Sequence, residues 1–316
     1  MTDFDSLIEG LKLNNIGVSE NETVPEKLIP INTNSDKLVT FNVADFQREL
    51  KSNSEKKNRY FHNSSERFNA YDVAHTCIRS VLFRIFKFPI KDYSDSWLPV
   101  KLRTNLGTAC HEFIQASKVF TEEEVYMRVP SLNISTKLDC LINDNVLVEI
   151  KSCNYADYAA IIKNNLPRTK DLYQAVLYRY LIQNHLEESR NQVLTEDEKK
   201  KYNLPKLDKY NIRTIQFIYI CHELIAAETE SIEQDIEFSK RLKKFLNSKN
   251  NKFWFIKELQ LNLDNFDITN VEKMVVDKLS ELKLHYDNKK IPDMSHKHVD
   301  PKSCFFCLFK EVCSKN

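Results

Sequence analysis

The stretch from residue 124 to residue 152 constrains the fold of this chain more than any other. Two apolar-rich runs, 133–142 and 146–152, flank Asp144-Asn145, a pair suited to a tight turn between strands. A third strand-like run covers 124–129, so the segment reads as an antiparallel meander. Side chains two apart on a strand share a face. Glu149 and Lys151 therefore project together with Ile150 behind them, and a hairpin brings Asp139 toward Glu149.

That arrangement has a chemical consequence. Two adjacent carboxylates repel unless a cation lies between them. Mg²⁺ or Mn²⁺ suits such oxygen ligands, and a bound ion of this kind polarises a phosphodiester oxygen and activates water. A neighbouring lysine can orient that water or stabilise charge growing on phosphorus. The bland alternative is an exposed charged strand face, and for this short pattern alone that alternative wins.

Helical spacing surrounds the meander. Val73, Cys77, Val81, Leu82 and Ile85 recur at three and four residues. A second helix is expected over about 100–120, carrying Gly107 and His111, and a third over about 169–186, carrying Gln174 and Tyr178 on one face. The charged run 196–210, with Pro205, reads as a loop or insertion (about 190–210), and 212–221 as a further strand. Helices are expected over 230–246 and 271–286, with a loop-like end from Ile291. Residues 1–58 read as a polar, partly disordered N-terminal extension with a short strand near 38–41 and a helix near 44–56. Residues 59–316 then form the main domain.

A net charge of +1 over 316 residues gives no global basic field. The basic runs Lys199-Lys200-Lys201 and 240–244 read first as solvated faces. No apolar run is long enough to span a membrane, and the acidic start Met1-Thr2-Asp3 lacks a signal-peptide pattern. A cytoplasmic or other intracellular setting, viral or organellar ones included, is expected. In that setting eight cysteines read as thiols or metal ligands. Cys110, Cys140, Cys153 and Cys221 lie in apolar segments and read as small core residues. Cys77 stands apart from the triplet Cys304, Cys307 and Cys313, and a metal centre using all four would tie the chain ends together. Iron–sulfur clusters use four thiolates. Zinc is the competing reading, since His296 and His298 are nearby.

In chain order, Gly107…His111, Asp139, Glu149-Ile150-Lys151 and Gln174…Tyr178 resemble the motifs of the PD-(D/E)XK nuclease superfamily, in its RecB-like branch. One cysteine before this set and three after it resemble the iron–sulfur members of that branch, such as the CRISPR-associated RecB-like exonucleases and the AddB nuclease domain. The chain departs from the pattern at Ser135-Thr136-Lys137, where glycine is frequent, and at Ile78, where proline is frequent. The resemblance implies a restriction-endonuclease-like α/β core with a mixed central sheet flanked by helices. It implies Mg²⁺ or Mn²⁺ held by His111, Asp139, Glu149 and the carbonyl of Ile150. Lys151 would be catalytic alongside Asp139, Glu149 and Gln174, and Tyr178 would contact DNA. It also implies a [4Fe–4S] cluster on Cys77, Cys304, Cys307 and Cys313, in a region joining the first core helix to the C-terminus. The implied activity is a single-stranded DNA exonuclease in DNA processing, recombination, repair or spacer acquisition, with helicase, recombination or integration proteins as candidate partners. The alternative is a partner-dependent nuclease subunit or a nucleic-acid-binding scaffold.

Overall fold

Five runs, 122–129, 134–142, 146–153, 214–221 and 256–262, form strands, with alternation of buried and more exposed side chains clearest in the second, fourth and fifth. The computed structural model describes residues 66–74, 77–88, 97–192, 194–223, 255–294, 296, 307 and 309–313, all within the unit Ser64–Asn316. The strands are β1 (Glu122–Val129), β2 (Ile134–Ile142), β3 (Val146–Cys153), β4 (Thr214–Cys221) and β5 (Ile256–Asn262), ordered β1-β2-β3-β4-β5. The pair β3–β4 is parallel and the other three pairs are antiparallel. The sheet is therefore mixed, and the first three strands are the expected meander.

Register decides where the site opens. β3 pairs with β4 along its whole length, from Val146↔Thr214 to Cys153↔Cys221. With β2 it pairs only from Cys140↔Val148 to Ile142↔Val146. Beyond Val148 the two strands separate, and Glu149, Ile150 and Lys151 face a gap.

The helices are α1 (Ala70–Ala74), α2 (Ile78–Ile85), α3 (Trp97–Gln115), α4 (Tyr155–Asn164), α5 (Thr169–Asn184), α6 (Leu186–Arg190), α7 (Glu196–Lys201), α8 (Thr269–Asp287) and α9 (Lys310–Cys313). On one face of the sheet, Cys110 and Ile114 of α3 pack on Val148, Ile150 and Ile220. Helix α5 packs against β3 and against α1 and α8. Its buried positions include Leu172, Ala175, Val176, Leu177 and Leu181.

Several expectations changed. The segment expected as one helix from about residue 71 is broken into α1 and α2, with Cys77 extended at φ −108°, ψ 106° before α2. The charged run 196–210 contains α7, because Thr195 and Glu198 form a reciprocal capping box that satisfies amides at the helix start. Helix α4 went unread; Asn154 caps it by accepting from the Asp157 N–H at 2.8 Å. Strand β5 also went unread, and the loop-like end carries the short α9. Residues 1–58 and the expected helix at 230–246 lie outside the described residues.

Candidate active site

Four elements deliver the sequence-predicted side chains to the gap between β2 and β3. Asp139 of β2 accepts the Ile150 N–H on Oδ2 at 2.8 Å, where a carbonyl of β2 would otherwise sit. A strand residue's N–H and C=O point to the same edge, so the Ile150 carbonyl also faces this gap. Asp139 Oδ1 lies 3.5 Å from His111 Nδ1 of α3. One helical turn beyond His111, the Gln115 amide donates to the Asp139 carbonyl at 3.1 Å. That residue escaped the sequence reading, although its four-residue spacing from His111 marks the same helix face.

Helix α3 reaches β3 closely because Gly107 carries no side chain. A Cβ there would stand 3.2 Å from the Ser152 Oγ. The glycine thus answers a close approach, and every described glycine φ is negative.

Glu149 is fully buried. Lys151 Nζ lies 2.5 Å from its Oε1, a close charge-assisted contact, while Oε2 has no hydrogen-bond partner. Burial pushes the Glu149 carboxyl well above the usual range and the charge of Asp139 adds to this, while Lys151 opposes it. For Lys151, burial works to lower the ammonium's pKa, but Glu149 and Asp139 outweigh it and the net shift is upward. Lys151 is therefore a charged donor at neutral pH and has no lone pair with which to take a proton.

From the other side, Lys151 donates to Gln174 Oε1 at 3.0 Å, and Gln174 Nε2 donates to the Tyr178 hydroxyl at 2.7 Å. Tyr178 is 3% exposed, so its hydroxyl is the part that meets the site and its ring is enclosed. Burial raises its pKa and keeps it a neutral phenol. The structure thus brings His111, Asp139, Glu149, Ile150, Lys151, Gln174 and Tyr178 to one place.

Metal chemistry has a mixed reading here. Among the described residues, no three His, Cys, Asp or Glu side chains converge as a ready-made ligand set. Glu149 instead leans on Lys151. The donor chemistry nonetheless fits a hard divalent cation: two carboxylates share one gap, and one of them is buried with its Oε2 lacking a hydrogen-bond donor.

The cysteines divide as follows. Cys110, Cys140, Cys153 and Cys221 are buried, and burial pushes the Cys153 thiol up to about 12. Cys77 is buried at the start of α2. Cys307 and Cys313 pack with Phe83 and Phe309, so these two cysteines lie against the helix that Cys77 opens. Cys304 and His298 lie outside the described residues.

No family model matches the sequence, and no curated protein matches it. Among solved structures, an alkaline exonuclease from Laribacter hongkongensis (LHK-Exo) is 12% identical over 73% of this chain and 95% of its own, with a TM-score of 0.38. The same enzyme in complex with dAMP gives 13%, the same coverage and 0.40. A protein designated SSO0001 is 13% identical over 86% of this chain and 96% of its own, with a TM-score of 0.41. The fold and site described above rest on this chain's own geometry.

Proposed function

We propose that this chain is a divalent-cation-dependent nuclease of the PD-(D/E)XK class, cutting phosphodiester bonds in DNA. The observation that supports this most is Glu149: a buried carboxylate whose Oε2 has no hydrogen-bond donor, beside a second carboxylate and an ion-paired lysine, at the edge where β2 leaves β3. A structural acid in such a position would be expected to have donors. One that receives a cation must keep an oxygen free.

In this reading Asp139, Glu149 and the Ile150 carbonyl hold Mg²⁺ or Mn²⁺, with His111 completing the set. When bound, the ion polarises a phosphate oxygen and lowers the pKa of a water. Lys151 gives its proton-bearing Nζ to the water or to the phosphate oxygen that gains charge, and acts as an electrostatic stabiliser. Gln174 fixes that ammonium through its carbonyl, and Tyr178 fixes the Gln174 amide in turn. A single-stranded substrate and an exonuclease mode are part of the proposal, as are a cysteine-ligated [4Fe–4S] centre and protein partners in DNA processing.

Anaerobically purified full-length protein is to be tested on linear single-stranded DNA labelled at each end, with a circular strand as control. Cleavage that needs Mg²⁺ or Mn²⁺ is expected, and Lys151→Ala should lower it by about 10²–10⁴-fold. Absence of cleavage by folded, metal-supplied protein that still binds DNA would favour the scaffold reading. Iron and sulfide analysis with a visible absorption spectrum tests the cluster; zinc in place of iron would overturn it.

A further inference from the structure

We propose that Asp171, with Arg168 and Tyr219, forms a positioning set that fixes helix α5 over β3 and so determines where Gln174 meets Lys151. The proposal rests on the nuclease reading of this site and adds residues that no sequence motif named.

Tyr219 of β4 stands in register with Lys151 of β3, and both side chains reach α5. The Tyr219 hydroxyl donates to Asp171 Oδ2 at 2.9 Å. The same oxygen receives Arg168 Nε at 2.6 Å. Arg168 Nη1 holds Asp157 of α4 at 2.7 Å, its backbone N–H donates to the Tyr219 hydroxyl at 3.2 Å, and its guanidinium lies 5.6 Å from that ring's centre. Asp171 and Tyr219 are 2% and 0% exposed, so these bonds form away from water and hold a narrow geometry.

Asp171 precedes Gln174 by three residues, which puts both on one face of α5. Two bonds between that face and adjacent parallel strands, Asp171 to Tyr219 and Gln174 to Lys151, fix both the rotation and the slide of the helix. Asp171 also adds to the charges that keep Lys151 protonated.

The test uses the full chain. Tyr219→Phe keeps the ring and deletes one hydroxyl, and is expected to lower kcat by about 3–10-fold. Asp171→Asn is expected to lower it by about 10–100-fold. DNA affinity, measured with Ca²⁺ in place of Mg²⁺, should stay within about 2-fold of wild type for both. The double variant should lose less than the product of the two single losses, because the two residues share the Tyr219–Asp171 hydrogen bond. The ¹⁵N resonance of the Lys151 ammonium should move in Asp171→Asn while the melting profile of Tyr219→Phe stays close to wild type. Additive losses, or an unmoved Lys151 resonance with unchanged kcat, would overturn the proposal. If wild type does not cleave, the nuclease reading fails by itself, and the Lys151 resonance in Tyr219→Phe, which changes no charge, still decides whether the set positions Lys151.

Discussion

At the scale of single residues, the site is governed by a mismatch of charge and burial. Glu149 is cut off from water beside the charge of Asp139, and Lys151 only partly offsets this, so its carboxyl holds a proton more tightly than an ordinary glutamate. A cation must displace that proton, and metal affinity should therefore rise with pH above the usual carboxylate range. Calorimetric titration with Mn²⁺ at several pH values checks this. The expected outcome is tighter binding at each higher pH, with the dependence abolished in Glu149→Gln along with most of the affinity. Binding independent of pH would place the cation elsewhere. Lys151 should not be replaceable by a general base: Lys151→Arg is expected to retain more activity than Lys151→His at pH 8, because only arginine keeps the charge there.

At the scale of elements, the decisive contact is α3 on β3. Gly107 lets the helix approach until the position of its missing Cβ is 3.2 Å from the Ser152 Oγ. Gly107→Ala gains up to about 1 kcal/mol of helix propensity and loses part of it to that contact, so its net effect should lie within about 1 kcal/mol of zero. In a Ser152→Ala background the contact is gone, and the same substitution should raise the melting temperature. A double-mutant cycle measures the difference. Gly107→Leu should push α3 off the sheet and carry His111 away from Asp139, which cleavage assays would register as lost activity in a folded protein. The elements were unevenly legible beforehand. The hairpin around Asp144-Asn145 was readable because its turn residues and two-residue alternation are local. Strand β5 was missed because its run is short and largely polar, and its only described strand partner is β4, 36 to 48 positions earlier in the chain.

At the scale of the whole molecule, α2 meets the described C-terminal residues at Arg79. This arginine is 2% exposed, lies 5.3 Å from the Phe83 ring centre, and donates to the Pro292 carbonyl, to Cys313 Sγ at 3.2 Å and to the Cys313 carbonyl at 3.3 Å. Arg79→Met should remove these bonds at a cost of roughly 2–4 kcal/mol and release the C-terminus from α2. Limited proteolysis with mass analysis should then show early loss of the C-terminal residues. A C-terminus as resistant as wild type would show that the apolar cluster of Phe83, Phe309 and Cys313 suffices.

The sequence by itself determined the chemistry available: which carboxylates, lysine, glutamine and cysteines occur, in what order, and which of them share a strand or helix face. Local periodicity sets those faces, because backbone geometry repeats every two or 3.6 residues whatever the rest of the chain does. Only the tertiary structure decided that β2 parts from β3 beyond Val148, that Gln115 braces Asp139, and that Asp171 meets Tyr219 across 48 positions. Those contacts depend on how separate elements pack, and packing joins residues whose spacing along the chain carries no repeat.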